Sequence, residues 1–144
     1  MRFLDLEALA ATPLETEPFP YLIVPHFIRR EELQRVYNEF PPIERAGSFP
    51  ISEVAATPYF RSFLAELESD DLRHAFADKF AMNLEGRPTL ITLRGQTREK
   101  DGRIHTDTAS KLITVLIYLN PAWGRSDGRL RLLRSKTDLE DKVA

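Results

Sequence analysis

The feature that most restricts the fold is a change of hydrophobic rhythm at Pro88. Before it, large apolar residues recur at helical spacing; after it, they alternate or run in short β-branched blocks. A chain of 144 residues is the size of one ordinary domain. Helices first and antiparallel-looking strands second predict an α+β domain in which a β-sandwich or barrel-like sheet follows a helical layer.

The helical half has clear punctuation. Phe27 or Ile28, then Leu33, Val36, Tyr37 and Phe40, follow one helical face, and Pro41-Pro42 ends it. Thr57-Pro58 supplies a capping hydroxyl and a first-turn proline, after which Phe60, Phe63, Leu64 and Leu67 share a side. Ser69-Asp70-Asp71 starts the next helix with a cap and two first-turn carboxylates, and Leu72, Phe76 and Phe80 recur every four residues. Such stripes are the faces by which helices pack, so they read as core rather than as a cofactor slot. Residues 1–17 read as an amphipathic lead or partly ordered tail ahead of a domain at 18–144. Tyr21 to Val24 is a short β-favouring run between prolines, and residues 47–56 read as a loop.

The domain divides into a helical part, 18–86, and strands, 88–144. Thr89 to Leu93 predicts a strand, residues 95–102 a polar loop closed by Asp101-Gly102, and residues 103–107 a further short strand. Residues 112–120 are apolar on both alternating sets, which predicts burial on both faces. Asp127-Gly128 is a turn pair, and Arg129-Leu130-Arg131-Leu132 alternates as another strand.

Composition removes several kinds of chemistry. With no cysteine there is no disulfide framework, zinc ribbon or thiol nucleophile. A formal net charge of −2 creates no overall field toward nucleic acid or an anionic membrane. The basic strip Arg125, Arg129, Arg131, Arg134 and Lys136 reads as the outward face of an alternating strand, so no nucleic-acid partner is expected. Glu66, Glu68, Asp70 and Asp71 read as a solvated helix junction. The longest apolar run, 112–119, is far shorter than the ~20 residues of a membrane helix, and the amino terminus lacks the basic start and apolar block of a signal peptide. A cytoplasmic protein without a membrane partner is expected.

One short segment carries chemistry. Side chains two apart on extended backbone face the same way, so His105 and Asp107 can aim at one point while Thr106 turns aside. An imidazole nitrogen and a carboxylate oxygen there make two legs of the 2-His-1-carboxylate set that suits non-haem Fe(II). The surrounding string is Arg103-Ile104-His105-Thr106-Asp107, then Ile117-Tyr118-Leu119-Asn120, Trp123 and Gly128-Arg129-Leu130-Arg131. It resembles the iron-binding half of the prolyl-4-hydroxylase-like Fe(II)/2-oxoglutarate dioxygenases over about 45 residues, Thr89 to Arg134.

The resemblance implies a double-stranded β-helix, or jelly roll, incomplete at its carboxyl end. It implies His105 and Asp107 as metal ligands, and Tyr118 as the phenol that bonds a 2-oxoglutarate carboxylate. Leu130 would line that pocket, and Arg94, at the end of the preceding strand, could face it. The implied cofactors are Fe(II) and 2-oxoglutarate, with ascorbate keeping the metal reduced. The implied reaction is hydroxylation of a peptidyl proline or of a small molecule. The family also has a late second histidine and a basic residue for the distal carboxylate. Neither can be placed: no histidine follows Asp107 in this sequence, and His26 and His74 lie in turn and helix contexts instead. The expectation is therefore a partial domain that binds iron weakly and turns over little. The alternative is a non-catalytic jelly-roll module for binding or interaction.

Overall fold

A computed structural model describes residues 1–96, 103–120, 124 and 130–144. The expected Trp123, the Asp101-Gly102 and Asp127-Gly128 turns, and Arg125 and Arg129 lie outside the described residues. Within them the chain is α+β, with four α-helices and one two-stranded antiparallel sheet. They run in the order α1 (Leu6–Ala11), α2 (Arg30–Asn38), β1 (Ser48–Pro50), a single 3-10 turn (Ile51–Glu53), α3 (Pro58–Leu67), α4 (Asp70–Phe80) and β2 (Thr92–Arg94).

The helices begin where the sequence provides caps. The Thr57 hydroxyl accepts the Phe60 N–H at 3.2 Å, with Pro58 opening α3, and the Ser69 hydroxyl accepts the Leu72 N–H at 3.3 Å. Each bond satisfies one of the amide donors a helix start leaves without an internal partner. Asp5 does the same for α1 through Ala8 N–H. The carboxyl end of α1 is held by the Lys79 ammonium of α4, which donates to the carbonyls of Ala10 at 2.7 Å and Thr12 at 2.9 Å.

The core draws on the whole first half of the chain. Phe3, Leu4, Leu9, Ile28, Val36, Phe60, Phe63, Leu64, Leu72 and Leu93 are its buried members. Phe3 packs edge-on against Tyr59 and Phe63, and Phe60 against Phe40 and Phe63, the arrangement that sets a ring's positive edge over a neighbour's face. Three of these side chains come from the residues read as a lead, and an isolated bridge joins Leu4 to Ile28.

Several expectations are corrected here. The loop expected at 47–56 contains β1, which pairs with β2 in the register Ser48↔Arg94, Phe49↔Leu93 and Pro50↔Thr92. The ladder continues through Gly95 N–H to the Gly47 carbonyl at 3.0 Å. Gly95 is required there, since a Cβ would collide with the Arg45 carbonyl oxygen. The strands expected at 103–107 and 112–120 are not formed, and the strand expected over 89–93 is confined to Thr92–Arg94. Nor is 112–120 buried on both faces: Leu112, Val115, Leu116 and Tyr118 are exposed. A strand needs a neighbour to receive its N–H and C=O groups, and among the described residues none pairs with this segment. Further on, Leu133 bridges Lys142, with Val143 N–H donating to the Leu132 carbonyl at 2.8 Å. No helix among the described residues is long and apolar enough to cross a membrane.

Candidate functional site

The His105–Asp107 segment precedes a tight turn, in which Lys111 N–H donates to the Thr108 carbonyl at 2.9 Å and the Thr108 and Ser110 hydroxyls lie 3.0 Å apart. The turn doubles the chain back, so that Lys111 and Thr114 reach Asp107. The Lys111 ammonium lies 3.2 Å from Asp107 Oδ1, and the Thr114 hydroxyl donates to Oδ2. One oxygen of the carboxylate thus meets a cation and the other a neutral donor.

These contacts favour the ionised carboxyl. The Thr114 hydrogen bond is the largest influence holding Asp107 below the usual carboxylate range. Partial burial opposes it, and the Lys111 hydrogen bond and charge and the nearby His105 reinforce it.

His105 is oriented by its own backbone. Its Nδ1 lies 2.8 Å from the Arg103 carbonyl oxygen. A carbonyl can only accept, so Nδ1 carries the proton, and in the neutral imidazole Nε2 keeps the lone pair. This is how metal-binding histidines are commonly prepared, one nitrogen anchored and the other left as donor. His105 Nε2 and Asp107 Oδ1 are thus a nitrogen and an oxygen donor of the kind Fe(II) takes. Among the described residues, no group of three His, Cys, Asp or Glu side chains could hold a metal together.

Tyr118 and Leu130, twelve positions apart, are brought together: the Leu130 N–H donates to the Tyr118 phenol oxygen at 3.2 Å. Arg94 goes elsewhere. It leaves the exposed side of β2 and lines an open groove of about 660 Å³ with Tyr37, Phe40, Pro42 and Ile43, none of the other four candidate residues contributing to it. His26 sits in a turn with φ of 56°, and His74 is exposed on α4, as their sequence contexts predict. Of the basic strip, Arg131 pairs with Glu140 at 2.6 Å and Arg134 with Asp141 at 3.1 Å, so both are neutralised within the chain.

Two clusters escaped the sequence reading. The Glu66 carboxylate, read as part of a solvated junction, accepts the backbone N–H groups of Arg2, Phe3 and Leu4 at 2.6, 2.9 and 3.2 Å. Glu32 binds the Arg2 guanidinium at 2.8 Å and accepts the Tyr59 hydroxyl, while the Arg35 guanidinium stacks 3.9 Å from the Tyr59 ring centroid. Burial, followed by the Glu32 hydrogen bond, pushes the Tyr59 phenol up to about 12. The Arg2 hydrogen bond, then that of Tyr59, holds Glu32 below its ordinary range. Both clusters join residues about 27 to 64 positions apart, separations that no local pattern encodes.

No family model, no curated protein and no solved structure matches the chain.

Proposed function

We propose that the chain carries the iron-binding segment of an Fe(II)/2-oxoglutarate-dependent dioxygenase with a jelly-roll scaffold, a hydroxylase of a peptidyl or small-molecule substrate. The observation that carries this reading is the pair of prepared donors, His105 Nε2 and Asp107 Oδ1, two residues apart within a string that resembles that family. The Tyr118–Leu130 hydrogen bond supports it, because the two residues implied for the co-substrate pocket touch.

In this reading His105 and Asp107 hold the metal. Bound iron supplies dioxygen activation, coupling conversion of 2-oxoglutarate and O2 to succinate and CO2 with insertion of one oxygen atom into a substrate C–H bond. The chain's own contributions are positional. The Arg103 carbonyl fixes the imidazole tautomer, and Thr114 fixes the carboxylate. The Tyr118 phenol orients a 2-oxoglutarate carboxylate, the role the resemblance implies for it.

A second reading is a binding module that keeps the scaffold without the chemistry. It is favoured by the lack, among the described residues, of a third side chain joining the two donors. Thermal unfolding of the full chain separates the two. Saturating Mn(II) with 2-oxoglutarate raises Tm by roughly 5 °C if they bind only the folded state, and Asp107→Ala abolishes the rise. An identical response from the wild type and Asp107→Ala refutes the dioxygenase reading.

A further inference from the structure

The groove that receives Arg94 lies outside the site described above. The last turn of α2 and the chain leaving it, 37–43, form one wall, and residues 94–96 at the end of β2 form the other. Its volume of about 660 Å³ falls within the range of ligand clefts. The two walls are fastened together. Gly95 N–H donates to the Gly47 carbonyl at 3.0 Å, and Phe40 packs edge-on against the core ring of Phe60. Gly95 also lets β2 approach Ile43 and Arg45 more closely than any side chain there would allow.

Tyr37, Phe40, Pro41 and Ile43 make the groove apolar, and among the described residues its lining holds one cation, Arg94, and no carboxylate. Glu39, beside the lining in sequence, is paired with Arg35 at 3.5 Å. Arg35 and Arg45 also have partners inside the chain, the rings of Tyr59 and Phe49. Arg94 differs: among the described residues its guanidinium has no hydrogen-bonded, ionic or ring partner. A planar fork of free donors beside an apolar wall is matched by a carboxylate carried next to apolar groups.

We propose that this groove docks an extended acidic segment of a partner protein. Arg94 takes an aspartate or glutamate carboxylate, and Tyr37, Phe40 and Ile43 take the apolar side chains beside it. The open shape favours a peptide over a small molecule. A cleft for a small ligand covers most of its surface, whereas an extended chain can lie in an open trough with both ends in solvent. The proposal is independent of the dioxygenase reading, because His105, Asp107, Tyr118 and Leu130 take no part in the lining.

Two pools of capped hexapeptides on resin test this with the full chain. One fixes a central aspartate among mixed leucine, isoleucine and phenylalanine, and the other fixes asparagine there. The aspartate pool retains the wild type about three- to fivefold more strongly, the range for an exposed ion pair. That preference fades as salt rises toward about 1 M. Arg94→Met binds the two pools equally, and Arg94→Lys keeps part of the preference. Tyr37→Ala loses about tenfold on both pools, as removal of an aromatic anchor does. Both side chains are exposed, so these variants keep the fold.

Equal retention of the wild type on both pools, or retention on neither, overturns the proposal. So does an aspartate preference that persists in Arg94→Met, or undiminished retention of Tyr37→Ala, since the peptide then binds elsewhere. If the chain instead dimerises with rising concentration and Arg94→Met abolishes this, the occupant is a second copy and the partner segment is overturned.

Discussion

The helical region up to Phe80 and the segment 103–120 contain similar kinds of apolar residue and bury them to different extents. In the first, Phe60 is fully buried among Phe40, Phe63 and Val36. In the second, Leu116 keeps 42% of its surface in water and Tyr118 51%. The difference lies in where the backbone hydrogen bonds go. A helix satisfies its own N–H and C=O groups and needs neighbours only for its side chains, so α3 and α4 close a core by laying stripes together. A β-favouring segment must first find a paired strand, and 112–120 has none among the described residues. Without one, Ile117 and Leu119 still pack against the core but stay only partly buried.

The sharpest way to break this contrast is to truncate one side chain from each region. Phe60→Ala empties the centre of the aromatic cluster and costs about 3–5 kcal/mol, the range for a fully buried phenylalanine. Leu116→Ala costs within about 0.5 kcal/mol, as expected away from any packed feature. Urea midpoints of the two variants decide it. A comparable loss in Leu116→Ala would mean that Leu116 is packed in solution.

What was legible follows the same division. Thr57-Pro58 and Ser69-Asp70-Asp71 announce their helices because capping acts over three residues, and the structure bears out both starts. The stripes Phe60, Phe63, Leu64 and Leu72 were readable as core for the same local reason. The sheet was not. Phe49 pairs with Leu93, 44 positions further along the chain, and nothing within residues 47–56 signals that partner. The predicted α+β class holds, in the form of a two-stranded sheet. At the site, the separation of His105 and Asp107 was visible, whereas the claims of Lys111 and Thr114 on Asp107 depend on how the 108–111 turn closes.

Glu66 shows how much a non-local polar contact can add to the helical region. Its carboxylate gathers three amide donors from residues 2–4, fastening the chain's start to α3 just where Phe3 and Leu4 enter the core. Glu66→Ala leaves partly buried N–H groups short of acceptors and costs about 1–3 kcal/mol. Glu66→Gln, which keeps one acceptor oxygen, loses less. Amide hydrogen exchange at Phe3 and Leu4 reads this directly: it accelerates in Glu66→Ala while exchange within α4 changes only by the global loss of stability. Unchanged exchange at both amides would show that the fastening contributes nothing.

The smallest effect concerns pH and again separates the regions. Tyr59 has a phenol pKa raised from its ordinary 10 to about 12. The unfolded chain therefore loses this proton before the folded one does. The folded state binds more protons between those two values, so stability falls as pH rises from about 10 toward 12 and is fully present below 10. Tyr59→Phe removes this slope, at some cost from the lost hydrogen bond to Glu32. At the other end of the scale, Glu32 and Asp107 both lie below their ordinary carboxylate range, so each contributes stability at neutral pH that fades as acid protonates it. Because Glu32 joins α2 to α3 and residue 2 while Asp107, among the described residues, bonds only Lys111 and Thr114, Glu32→Gln removes more of the acid dependence of global unfolding than Asp107→Asn does. An equal loss of acid dependence in the two variants would mean that the 103–114 turn unfolds together with the helical core, and that the two regions form one cooperative unit.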